Sequence, residues 1–148
     1  MEGEQRRKPL LLLLLLLLFL LLTVDLNLIR FLIQACQKLS TIKGYGVEYD
    51  KELCIKAENL VTANNLTKQI QIIHNNVLDV EFSEATVLFI YLVPEGILKL
   101  KDMLLQALDR GVRIVTYVFS IPGLTPDDTI LYKKAVKIYL YKRPSSIC

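Results

Sequence analysis

The sequence predicts an α/β fold, a doubly wound and mainly parallel sheet, from three observations. Short, nearly continuous apolar runs alternate with stretches whose apolar residues recur every three or four positions, the alternation of parallel strands with their connecting helices. Start and stop residues fall between them where helices need them, at Asp50, Asn64-Asn65, Pro94 and Gly111. The run Lys43–Glu48 ends on an acid immediately before a capping residue, and open α/β sheets bind ligands beyond the carboxyl ends of their strands.

Taken in order, the polar segment 1–9 carries Arg6, Arg7 and Lys8, and Leu10–Leu22 is leucine throughout except Phe19. The two together have the form of the first regions of a signal peptide, or of an anchor. No small-residue cleavage site follows, Glu2 and Glu4 dilute the basic end, and the run is short for a bilayer core. A low-complexity artefact explains it as well. The expected division is therefore 1–22, a basic segment plus poly-leucine, and 23–148, the folded domain. Leu20–Leu26 also reads as a buried strand ending on an acid, the first and central strand of the sheet, and residues in that strand cannot be in lipid.

Leu28–Leu39 has helical spacing through Leu28, Ile29, Leu32, Ala35, Cys36 and Leu39. The strand Lys43–Glu48 follows, its Gly44 and Gly46 letting it lie close to neighbouring strands. Asp50 opens a helix with one apolar stripe (Leu53, Cys54, Ala57, Leu60, Val61) that ends at Asn64-Asn65. Asn65-Leu66-Thr67 is a glycosylation sequon, meaningful only in a secreted chain. Gln69–His74 is a strand with Asn75-Asn76 in the turn after it. Thr86–Val93 is a buried strand stopped by Pro94, Glu95–Arg110 a helix stopped by Gly111, and Val112–Phe119 a further strand. Pro122-Gly123 and Pro126 mark a loop. Val136–Tyr141 alternates Ile138 and Leu140 against Lys137, Tyr139 and Tyr141, a strand with one solvated face.

A chain of 148 residues suits a single modest core. The net charge of +3 is small and its basic residues are dispersed, which gives no footprint for nucleic acid. Three cysteines, Cys36, Cys54 and Cys148, are odd in number and without ligand spacing; the first two sit on helices as small hydrophobes. His74 is the single histidine, so no Ser-His-Asp or Cys-His set exists, and a structural role is expected of it. Asp79, Glu81 and Glu84 read as a solvated turn, not a metal site. Lys133, Lys134, Lys137, Lys142 and Arg143 read as one solvated basic face. Glu48 is suited to accept hydrogen bonds from both hydroxyls of a ribose.

Several segments, in this order and spacing, resemble one family. They are Phe31-Leu-Ile-Gln-Ala-Cys, Gly44-Tyr-Gly-Val-Glu-Tyr-Asp, Ser83-Glu-Ala-Thr-Val-Leu-Phe-Ile-Tyr-Leu-Val-Pro-Glu, Gly111-Val-Arg-Ile-Val, Phe119-Ser-Ile-Pro-Gly-Leu-Thr-Pro-Asp and Lys137-Ile-Tyr-Leu-Tyr. From Val24 to Lys142 the chain resembles the class I S-adenosylmethionine-dependent methyltransferases, and within them the small branch related to the ATP synthase c-subunit lysine methyltransferases.

The resemblance implies a Rossmann-like methyltransferase fold, S-adenosyl-L-methionine as cofactor, and methyl transfer to a nitrogen of a protein lysine. It implies that Asp25 is the acid after the first strand, that Glu48 holds the ribose, and that Asn76 stands where the family has an aspartate accepting from the adenine amino group. It also places Tyr91, Pro94 and Glu95 on the substrate side; no catalytic residue is assigned. The departure is the glycine loop: the family has three alternating glycines after the first strand, and here only Asn27-Leu28-Ile29 stands before Arg30. Weak cofactor binding is the expectation, and the fold is expected to be incomplete at its amino terminus, without the helices that precede the first strand. Two alternatives follow, a catalytically inactive binding or scaffold protein and a leucine-anchored membrane protein. The compartment is expected to be cytoplasmic or organellar, with membrane association through Leu10–Leu22 as the variant.

Overall fold

The computed structural model describes residues 19–21 and 26–143, with side chains from Ile29 onward. The described strands are β1 (Phe19–Leu21), β2 (Gly44–Glu48), β3 (Ile70–His74), β4 (Val87–Ile90), β5 (Arg113–Tyr117), β6 (Asp128–Tyr132) and β7 (Val136–Tyr141). The described helices are α1 (Leu26–Lys38), α2 (Lys51–Ala63) and α3 (Pro94–Asp109), with a 3₁₀ turn at Val77–Asp79. The sheet order is β3-β2-β1-β4-β5-β7-β6. All neighbours pair in parallel except at β7, which runs antiparallel to both β5 and β6. The chain winds outward from β1 to β3, then crosses back to β4 on the other side of β1. That reversal opens a crevice at the carboxyl ends of β1 and β4.

The central strand stands where the sequence placed it, between β2 and β4, but its described part is Phe19–Leu21, paired with Gly44–Gly46 on one side and Val87–Phe89 on the other. Leu26 does not end that strand; it opens α1. Phe19, Leu20 and Leu21 of the run are thus sheet, while Leu10–Leu18 and Leu22 lie outside the described residues. No helix among the described residues is long and apolar enough to cross a membrane.

Alternation along the strands divides the core in two. Val87, Phe89 and Val115 point to the face covered by α1 and α2, where Ile29, Leu32, Cys36, Ala57 and Val61 meet them. Leu88, Ile90 and Ile114 point to the face covered by α3 through Ile97, Leu100, Leu104 and Ala107. Four consecutive buried residues in β4 follow from this double cover. Each fully buried Leu or Ile contributes about 1.5–3 kcal/mol, which is why helices of 13 and 16 residues hold here.

Gly44 admits a helix rather than a strand. A β-carbon there would fall 2.6 Å from Leu32 Cδ1 of α1, a separation that real side chains do not reach. The helix ends follow local chemistry. Asp50 caps α2 by accepting from the Glu52 and Leu53 N–H groups. At its far end the Asn65 N–H donates to Thr62 and the Leu66 N–H to Val61, with Asn65 at φ 57, a left-handed stop that asparagine tolerates. Gly111 does the same for α3 at φ 86.

Two expectations need correction. β6 was not expected as a strand: it is an edge strand with mostly exposed side chains, so it lacks the apolar pattern of its neighbours. The second face of β7 is solvated only at Lys137. Tyr141 is buried and Tyr139 half-buried against the α3 side of the core, and the Tyr141 hydroxyl accepts from the buried Ile121 N–H at 2.8 Å. A tyrosine can serve as core when its one polar atom finds a partner.

Candidate functional site

The carboxyl ends of β2 and β3 lie side by side, because Glu48 pairs with His74 in register and the Asn75 N–H donates to the Glu48 carbonyl at 3.1 Å. Glu48 itself is half-buried. Its carboxylate does not swing free, since the Asp50 N–H donates to Oε1 at 2.8 Å. A carboxylate presents about four lone-pair positions, and this bond orients the group. His74 Nε2 lies 2.9 Å from the Tyr49 carbonyl, which can only accept, so Nε2 carries the proton in this bond. That bond ties the residue after Glu48 to the end of β3.

Beneath Glu48, the buried Cys54 thiol donates to the Glu48 carbonyl at 3.4 Å. Burial pushes that thiol's pKa up, and the carboxylates of Glu48, Glu58 and Asp50 push it the same way. The thiol stays neutral and serves as packing.

Asn76 is placed one residue beyond the Asn75 that binds Glu48. Its Oδ1 accepts from the Leu78 N–H at 3.0 Å, capping the 3₁₀ turn Val77–Asp79. An amide oxygen has two lone pairs, so the cap fixes its direction and one acceptor position remains within its chemistry. The sequence did not single out Tyr49 and Leu78. They are 76% and 51% exposed, large side chains directly after the acid and two residues after the amide. Exposed apolar residues flanking two polar anchors were the signal that could have found them.

On the other side of the crevice, Tyr91 follows β4 and its ring meets the Tyr117 ring edge-on at 5.5 Å, with Phe89 6.5 Å from Tyr117 and Phe31 5.6 Å from Phe89. This aromatic row lines the sheet end beside β4 and β5. Just past Tyr117 the backbone turns sharply, the Phe119 N–H donating to the Tyr117 carbonyl at 2.9 Å around Val118 at φ 72. Pro94 and Glu95 hold local structural positions: Pro94 begins α3 and Glu95 is the acid of its first turn, which suits the positive end of a helix. Asp25 lies outside the described residues. The structure therefore brings Glu48 and Asn76 together at one lip and places Tyr91 and Pro94-Glu95 after β4.

The segment Asn27-Leu28-Ile29 is not a loop. It lies in the first turn of α1, and Ile29 is fully buried in the core. A shallow depression lined by Lys43, Thr67, Lys68 and Gln71 sits at the opposite end of β2 and β3, away from all of these groups.

The model of the ANTKMT methyltransferase domain matches residues 29–128, more than half of the chain. The chain belongs to the ANTKMT methyltransferase family. It is a class I methyltransferase-fold chain, as the resemblance implied. It is similar to a protein-lysine N-methyltransferase of Saccharolobus islandicus (strain REY15A), 32% identical over 101 residues, which are 68% of this chain and 63% of that relative. The chain thus spans less than two thirds of that relative's length. Among solved structures it is similar to an RNA methyltransferase from Salinibacter ruber in complex with S-adenosyl-L-homocysteine, with a TM-score of 0.75 and 26% identity over 88% of this chain and 82% of that one. The putative methyltransferase yhhF from Escherichia coli shares the fold, with a TM-score of 0.70 and 13% identity over 97% and 86% of the two chains. The lip formed by Glu48 and Asn76 lies at the carboxyl ends of β2 and β3, beside the switch point between β1 and β4 of this methyltransferase sheet.

Proposed function

We propose that this chain binds S-adenosyl-L-methionine along the Glu48–Asn76 lip and directs its methyl group to a lysine of a protein. The observation that carries the reading is Glu48, held by the Asp50 N–H at the end of the strand next to the central one. A fixed carboxylate there accepts from the two ribose hydroxyls, a pair of charge-assisted hydrogen bonds. The Asn76 Oδ1 accepts from the adenine amino group, and the exposed Tyr49 and Leu78 flank the base on its apolar faces. The adenosine half of the cofactor therefore fits the residues present. The methionine half meets a different situation, because α1 is helical from Leu26 and buries Ile29 where the family has glycines. Fewer backbone donors follow, and weak affinity with them.

When bound, the cofactor supplies a methyl electrophile on a sulfonium. The chain's part is orientation and desolvation of the acceptor. The Tyr91 and Tyr117 rings give the stem of a lysine an apolar flank, so the amine loses water and is held neutral for attack. The lysine assignment leans on the Saccharolobus relative, whose own substrate class is protein lysine.

Incubation of the full chain with methyl-labelled cofactor and a lysate from cells lacking the chain tests both halves. Label in protein, recovered after hydrolysis as N-methyl-lysine and lost in Glu48→Ala, is the expected result. Label recovered in RNA would contradict the protein reading, and equal labelling by the Glu48→Ala chain would contradict the site.

A further inference from the structure

The five basic residues that the sequence presents as one face do not share one place. Lys142 and Arg143 lie at the far end of β7, where the Lys142 N–H donates to Asp127 and the Arg143 guanidinium to the Asp109 carbonyl. Lys133, Lys134 and Lys137 gather at the tip of the β6–β7 hairpin. Because β7 is antiparallel to both β5 and β6, β6 runs parallel to β5, and the tip leaves the sheet at the carboxyl edge. That edge is the one carrying Glu48, Asn76 and Tyr91. Ile138 pairs with both Tyr117 and Ile130, so Tyr132 and the turn after it stand two residues beyond the last pairing of β5.

The tip is built at a cost. The Ala135 N–H donates to the Tyr132 carbonyl at 3.2 Å, and the two residues inside that turn, Lys133 and Lys134, have φ of 48 and 61. Glycine and asparagine take these angles readily and lysine does not. Lys133 Nζ lies 5.4 Å from the centre of the Tyr132 ring. All three lysines are exposed, Leu131 is 58% exposed opposite Lys137, and Tyr132 is 45% exposed on the other face. The acids of β6 are at its opposite end, where Asp127 and Asp128 accept from Lys142 and Thr129.

We propose that this hairpin tip is a docking arm for an acidic polypeptide segment of the methyl-accepting protein. It rests on the protein-acceptor reading above and names what that acceptor presents. Three ammonium groups without an acid on the tip are complementary to clustered carboxylates, and Tyr132 and Leu131 add apolar contact beside them. The order of the side chains distinguishes this partner from a membrane. A membrane wedge leads with apolar residues and rings them with lysines behind; here the lysines lead and the apolar residues follow. The arm lies along the carboxyl edge of the sheet, so a segment bound to it runs past the Tyr91–Tyr117 wall.

The double substitution Lys133→Asn, Lys134→Gly tests this, since it removes two charges and supplies residues suited to the turn. Binding of a short fluorescein-labelled peptide, glutamate-rich around one central lysine, is followed by anisotropy with the full chain and no cofactor present. The wild-type chain is expected to bind, more weakly as salt rises, and the variant about tenfold more weakly, with its melting temperature undiminished. Equal peptide affinity in the two chains, or none in the wild type, overturns the proposal. So does hairpin-dependent binding to vesicles of phosphatidylserine and phosphatidylcholine in equal parts with the peptide unaffected. Peptide binding through the hairpin without lysine methylation would leave the arm standing and remove the activity; methylation with equal kinetics in both chains would do the reverse.

Discussion

The Asp50 N–H donates to the Glu48 carboxylate while the Asp50 carboxylate accepts from the first turn of α2, so one residue both aims the site acid and starts the helix behind it. The two roles use different atoms. The first survives any side chain at position 50 except proline, and the second needs an acceptor.

Asp50→Ala should therefore lower stability by about 1 kcal/mol through loss of the cap, while the backbone bond to Glu48 persists. Urea unfolding of the two chains measures it. A loss of cofactor affinity larger than the loss of stability would show that the cap also positions Glu48.

Gly44→Ala should cost about 1–3 kcal/mol, because the added methyl collides with the fully buried Leu32 side chain, which must shift within the core. Combining it with Leu32→Ala should cost less than the sum of the two single changes. Additive costs in a double-mutant cycle would mean that α1 does not lie against β2 as described.

Stability should fall as pH rises beyond 9. The Cys36 thiol, at 9.0 when exposed, is pushed up to about 11 by burial, and burial raises Tyr141 as well, against the opposing bond from the Ile121 N–H. Between those values the unfolded chain has lost its thiol proton and the folded chain has kept it, so the folded state is favoured less with each unit of pH. The contribution is whole below pH 9 and lost as pH passes through 11. Thermal unfolding across that range should show a shallower decline in Cys36→Ala than in the wild type, although the variant starts lower for its cavity.

Much of this was legible in the sequence because local and global signals agree there. Asp50, Asn65 and Gly111 are the residue types their backbone positions demand, and β4 is apolar throughout because it is covered on both faces. The alternation around it was enough for the sheet class. What the sequence concealed has physical reasons. β6 is an edge strand with little to bury, and its turn uses Lys133-Lys134 where asparagine and glycine would have announced a hairpin. The β7 tyrosines look solvated because a hydroxyl hides how well a ring packs. For the site, Glu48 and Asn76 were readable as strand-end residues, while Tyr49 and Leu78 were not, since an exposed apolar side chain gains meaning only beside the anchors it flanks. The three residues before Arg30 read as a shortened loop, and they are a helical turn because Ile29 belongs to the core.

The central claim is that Glu48 holds the cofactor on a lip that lacks the family's glycine loop. Titration of the full chain with S-adenosyl-L-methionine, followed by NMR and repeated with Glu48→Ala, tests it most directly. A dissociation constant of hundreds of micromolar, about −5 kcal/mol, is expected for the wild type. A further loss of about 1.5–3 kcal/mol is expected in the variant, as for hydrogen bonds to a charged group. Affinity unchanged by Glu48→Ala would contradict the site, and a low-micromolar wild type would contradict the weakness assigned to the missing glycines.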